Sequence, residues 1–133
     1  MRPHVAGVLF LLAACSHTPQ EPLENAWRIG PPPPETLAEI ERESQNYYRC
    51  IVSELRHYRY DGEGHAIDHM EEMMKRCDPK LLPVRKALER ERIHPQVIER
   101  VLRQRRLHAA RFLTRQLQII EAQVKQTQAE GHL

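Results

Sequence analysis

The chain predicts an all-α fold: a disulfide-linked antiparallel helical hairpin followed by a short and a long C-terminal helix, together a small helical bundle. Three observations predict it. From Glu35 to about Gln128, apolar residues recur at three- and four-residue steps, the spacing that gathers them on one helix face. The pattern is cut at Asp61-Gly62-Glu63-Gly64, Asp78-Pro79 and His94-Pro95, combinations that stop or turn a helix. No segment alternates apolar and polar residues as a half-buried strand does.

In order, Leu37, Ile40, Ser44, Tyr47, Ile51, Leu55 and Tyr58 mark a first helix over about Glu35 to Tyr60, with acidic residues in its opening turns. Two glycines in Asp61–Gly64 permit the backbone angles of a turn. A second helix over about His65 to Cys77 carries Ala66, Ile67, Met70, Met73, Met74 and Cys77 on one arc, and His65, Asp68, Glu72, Lys75 and Arg76 on the other. Pro83 makes a short helix from about Leu82 to Arg92, with Val84, Ala87 and Leu88 inward. The last helix, about Pro95 to Gln128, has the stripe Ile98, Val101, Leu102, Ala109, Phe112, Leu113, Ile120 and Val124. Residues 130–133 read as a fraying tail.

Cys50 and Cys77 stand at comparable distances from the turn. At ~1.5 Å per residue the two arms of a hairpin bring them to nearly the same height, so the spacing predicts a Cys50–Cys77 bond. Cys50 lies about 100° from the centre of its helix's stripe. Helix 2 is therefore expected on a flank of helix 1, near Tyr47 and Glu54, and the long helix on the free centre around Leu37, Ile51 and Leu55.

Before the helical body, residues 17–34 carry Pro19, Pro22 and Pro31 to Pro34. Such a run favours polyproline II at ~3.1 Å per residue and reads as a semi-rigid tether. Trp27 is its only large aromatic residue and could dock on the body or sit at a membrane interface. At the start, Met1-Arg2-Pro3-His4 precedes a ten-residue apolar run, Val5 to Ala14. That run is too short for a transmembrane helix, which needs about 20 apolar residues, and it has the order of an export signal.

Leu12-Ala13-Ala14-Cys15 resembles the lipobox of bacterial lipoprotein precursors. The resemblance covers the first fifteen or sixteen residues. It implies removal of residues 1–14, lipidation of Cys15 and a lipid-anchored chain; Ser16 after the cysteine favours the outer membrane, facing the periplasm. That compartment is oxidising, which also favours pairing of the two remaining cysteines. The expected organisation is a signal peptide over 1–14, a lipidated tether over 15–34, a helical domain over 35–129 and a tail. The remaining 119 residues make one small domain, for which a disulfide is a useful staple.

Charge is unevenly shared. Residues 61–77 carry a net −3, residues 93–133 a net +4. Arg100, Arg103, Arg111 and Arg115 form a basic face with no acidic residue between Arg100 and Ile120, suited to anionic lipid, cell-wall polymer or an acidic protein; nucleic acid does not fit the compartment. Arg105 projects near the centre of the apolar stripe and needs a carboxylate, for which Glu54 is the expected partner. Tyr47, Tyr48, Tyr58 and Tyr60 cap the small core, and an exposed subset, with Tyr58 and Tyr60 as candidates, would make a recognition patch.

His65 and His69 are one turn apart on the second helix, with Asp68 and Glu72 beside them, and share a face that makes them candidates for Zn²⁺ or Cu²⁺. Met70, Met73 and Met74 face the other way, as flexible core filler. No glycine-rich phosphate loop, activated serine or walled-in carboxylate pair is present, so the sequence predicts no enzyme and no cofactor. It predicts a periplasm-facing binding or assembly-factor module for an envelope protein, with a metal-responsive protein and a structural spacer as alternatives. The general plan is similar to that of small assembly-factor lipoproteins such as the pilotins that escort secretin subunits, a likeness of architecture alone.

Overall fold

The computed structural model describes residues 26–131; the signal segment and Cys15 lie outside the described residues. Four α-helices and no strand occur among them: α1 (Pro34–His57), α2 (Met70–Cys77), α3 (Leu82–Arg90) and α4 (Pro95–Gly131). Short 3₁₀ turns, Ala66–His69 and Asp78–Leu81, lead into α2 and α3. The all-α bundle and the disulfide are as the sequence predicts. Cys50 and Cys77 are bonded, with Cα atoms 5.7 Å apart.

The path after the disulfide differs from the expectation. The 3₁₀ turn at Pro79 continues the chain in nearly the same direction, so α2, the turn and α3 form one broken arm antiparallel to α1 along its whole length. Arg90 pairs with Glu39, and the Thr36 hydroxyl donates to Glu91 at 2.8 Å. Both contacts place α3 against the N-terminal half of α1. That arm takes the ground expected for the long helix. α4 lies mainly across α2 and the Ala66–His69 turn, and meets α1 around Tyr48, Ile51 and Ala109. Leu37, expected near the free centre, is 46% exposed.

One core runs through all three arms: Ile40, Tyr47 and Ile51 of α1; Met73, Cys77, Leu81, Val84, Ala87 and Leu88 of the broken arm; Ile98, Leu102, Ala109, Leu113 and Leu117 of α4. Ser44, also buried, satisfies its hydroxyl by donating to the Ile40 carbonyl at 2.7 Å. At 37 residues, α4 spans about 55 Å, against about 36 Å for α1. Past Leu117 its stripe is therefore only partly covered, and Ile120 and Val124 are half-buried.

Element ends also shift for physical reasons. α1 stops at His57, because Tyr58 turns extended (φ −67°, ψ 137°) and the Tyr60 hydroxyl donates to the Gly64 carbonyl at 2.8 Å. Gly62, at φ +90°, lies under the Gln128 side chain of α4, where a Cβ would collide. α4 itself runs on to Gly131, two residues into the expected tail.

Polar contacts fasten α4. Arg106 donates from Nε and Nη2 to both Asp78 carboxylate oxygens at 2.9 and 3.1 Å. Glu121 accepts from the Ala66 backbone N–H at 2.9 Å, from His65 Nδ1 at 3.2 Å and from Lys125. The Arg105–Glu54 pair expected from the sequence does not form. Glu54 is taken by Arg76 at 2.7 Å, and the buried Arg105 Nε has no hydrogen-bond partner among the described residues. Neighbours on a helix differ by about 100°, and the rotation of α4 points Arg106, one residue on, at the Asp78 carboxylate.

The tether's described end is tied down. Arg28 donates its backbone N–H to the Arg92 carbonyl at 2.8 Å and its guanidinium to the Glu91 carboxylate at 3.0 Å. The Trp27 ring stands edge-on to His94, with centroids 5.5 Å apart. Trp27 therefore touches the body while 52% of it stays exposed.

Candidate functional site

The open cleft between α1 and α4 is built from side chains that each look ordinary in the sequence. The core of α1 fills one arc, which leaves Gln45, Tyr48, Arg49, Val52, Ser53 and Arg56 on the arc turned toward solvent. α4 passes beside this arc with His108, Ala109 and Phe112 facing it. Ala109, small and buried, meets α1 there.

The floor is apolar. Ile51 and Ala109 close the bottom, with Tyr48, Val52 and Phe112 along the walls, enclosing about 230 Å³. The Tyr48 and His108 rings meet edge to face with centroids 5.1 Å apart. Val52 remains 40% exposed. The depression continues over the outer face of α1 for about 470 Å³, between the stems of Arg49 and Arg56. None of the residues lining either part is acidic. Arg49, Arg56 and, on the neighbouring arc of α4, Arg111 and Arg115 have no ion-pair partner among the described residues.

On the other side of the α1 ridge, a groove of about 800 Å³ runs over the disulfide between Glu43, Asn46, Arg49, Cys50, Ser53, Glu54, Pro79, Lys80 and Pro83. Its charges are mixed, and Glu54 is already bound to Arg76. It offers less to a charged partner than the α1/α4 cleft.

The candidates read from the sequence are placed as follows. Arg100, Arg103, Arg111 and Arg115 are exposed on the outer face of α4. Tyr58 and Tyr60 are half-buried at the hairpin turn and do not join those arginines: the Tyr58 ring lies 5.4 Å from His69, and the Tyr60 hydroxyl is committed to Gly64. Burial first, then the nearby Asp61 charge, pushes the Tyr58 phenol pKa up.

His65 and His69 do not share a face in the way the metal reading needs. His65 is extended and Ala66–His69 is a 3₁₀ turn, whose three-residue period separates positions i and i+4 by about 120°. His65 instead meets Glu121, and among the described residues no three His, Cys, Asp or Glu side chains come together to hold a metal ion.

Sequence reading missed Tyr48, Val52, His108 and Phe112 as one site. The only signal was Val52, an aliphatic residue on the polar arc of α1 one turn from Tyr48. No family model, no curated protein and no solved structure matches the chain.

Proposed function

We propose that the protein is an outer-membrane lipoprotein, anchored through Cys15 and facing the periplasm, whose helical domain binds an envelope protein in the α1/α4 cleft. The observation that carries the binding reading is the cleft's composition: an apolar floor, rims of unpaired arginine and no carboxylate. Apolar depressions left open on a small domain mark interaction sites, and single-sign rims select a partner of the opposite charge. A concave slot between two helices suits a protruding protein element better than a flat surface does. The address rests on the resemblance of Leu12-Ala13-Ala14-Cys15 to a lipobox and on Ser16. No helix among the described residues is long and apolar enough to cross a membrane, so an anchor of another kind would hold the chain there.

Photo-crosslinking in cells tests both halves. A crosslinker at Val52 is expected to yield a discrete protein adduct in the membrane fraction, whereas one at Lys80, over the disulfide groove, yields little. Equal yields from both positions, or none from Val52, would remove the cleft. Recovery of the Cys15→Ser protein in the membrane fraction would remove the lipid anchor.

A further inference from the structure

The end of the molecule where the tether joins the body carries a second surface, distinct from the cleft. Trp27 is 52% exposed, Ile29 fully exposed and Val97 40% exposed. Isolated surface apolar residues are ordinary, but Trp27 and Val97 both meet His94, and Ile29 stands two positions after Trp27. Arg28, between Trp27 and Ile29, is fixed to the end of α3 through its backbone N–H and its guanidinium. Trp27 rests edge-on against His94, and the His94 carbonyl accepts the Val97 N–H at 2.9 Å as α4 begins.

Cations border the patch. Arg100, one turn beyond Val97, and Arg103 are exposed and have no ion-pair partner among the described residues. Among the described residues, Glu91 is paired with Arg28 at 3.0 Å and Glu99 with Arg85 at 2.6 Å.

We propose that the Trp27, Ile29 and Val97 end of the molecule lies in the head-group region of an anionic lipid bilayer, with Arg100 and Arg103 on the phosphates. The proposal rests on the lipoprotein reading for its geometry. Cys15 and Trp27 are twelve positions apart, a reach of at most about 40 Å, so the anchor delivers this end of the body to the surface. A Trp side chain, apolar with one polar N–H, is favoured where an acyl layer meets water. Contact here orients the bundle, because Arg28 and His94 tie the tether to the end of α3 and the start of α4.

Trp27 is the only tryptophan in the chain, so its fluorescence reports this surface alone. The mature protein, purified from membranes, is placed in vesicles of phosphatidylethanolamine with phosphatidylglycerol, with and without brominated acyl chains. The proposal expects Trp27 emission shifted to the blue and quenched about twofold or more by the brominated lipid, as for a side chain in the interface. Ile29→Ser and the double variant Arg100→Glu/Arg103→Glu, all at exposed positions, should each weaken the quenching. Vesicles that float with the protein while Trp27 stays red and unquenched would overturn this surface and leave the anchor standing. Emission already blue in detergent and unmoved by bromine would show the patch covered by the chain's own N-terminal segment, which also overturns it. A mature chain whose mass carries no acyl groups would overturn the anchor; added to the same vesicles, that chain still decides the patch by its quenching.

Discussion

At the scale of single residues, the end of α3 shows how one backbone angle is fixed. Arg92 sits at φ +58°, the left-handed region that an L side chain enters at a cost. Its N–H bonds the Glu89 carbonyl at 2.9 Å and the Ile93 N–H bonds the Leu88 carbonyl at 3.1 Å, the paired pattern that closes a helix at a left-handed residue. Ile93 and Leu88 are both buried, which adds the apolar contact common to such ends. Arg92→Gly and Arg92→Ala lose the same side-chain interactions, so their difference isolates the backbone. The glycine variant should be more stable than the alanine variant by roughly 1 kcal/mol in chemical denaturation; equal stabilities would contradict the assigned geometry. Tyr47 is the other instructive residue. It is fully buried, its hydroxyl has no hydrogen-bond partner among the described residues, and burial, then the Asp78 charge, pushes its pKa up to about 12. Its ring was legible from the period of α1, but its unsatisfied hydroxyl depends on what α4 brings alongside.

At the scale of elements, the disulfide and the Glu121 hub hold the arms together. Cys50 and Cys77 are 27 residues apart, and closing a loop of that length stabilises by roughly 3.5 kcal/mol on the chain-entropy model. The double variant Cys50→Ala/Cys77→Ala should lose about that much in urea unfolding; a loss below about 1 kcal/mol would show that the reduced hairpin is already ordered. Glu121 joins α4 to the turn before α2. Its hydrogen bond from Lys125, then that from the Ala66 N–H, lowers its pKa from 4.5 to about 2. A carboxylate held below its unfolded value stabilises the fold above that value and loses the contribution as pH falls. Stability should therefore drop between about pH 4.5 and pH 2 in the wild type, and Glu121→Gln should flatten that part of the curve. An unchanged acid limb in the variant would show that other carboxylates set it. The helices and their stops were legible because glycine and proline mark them. The order of packing was not: Pro79 reads as a breaker, and only the structure shows a 3₁₀ turn that carries α3 onward along α1. Arg105 and Arg106 illustrate the same limit, since periodicity defines a stripe only to within about one residue and the tertiary partner chooses the rotation.

At the scale of the whole molecule, three arms of unequal length produce the functional surfaces. The broken arm covers one side of α1, and α4 covers part of another. The strip left between them is the cleft. Tyr48 and Val52 look like scattered surface residues until α4 lies beside them, so periodicity within α1 could not reveal the site, although the arginines on its rim were visible as an excess of positive charge. The acidic residues Asp61, Glu63, Asp68, Glu71 and Glu72 are all exposed around the hairpin turn, beside the end of α1 that carries Arg56, and none of them forms an ion pair with Arg49 or Arg56 among the described residues. The central claim is that this carboxylate-free cleft, rather than the basic outer face of α4, recognises the partner. The most direct test measures adduct yield from a photo-crosslinker at Val52 in cells carrying either Arg49→Glu/Arg56→Glu or Arg100→Glu/Arg103→Glu. The proposal predicts a fall of about tenfold or more for the rim pair, since charge reversal opposes an acidic partner, and little change for the outer pair. Undiminished yield with the rim pair reversed, or a loss confined to the outer pair, would contradict it.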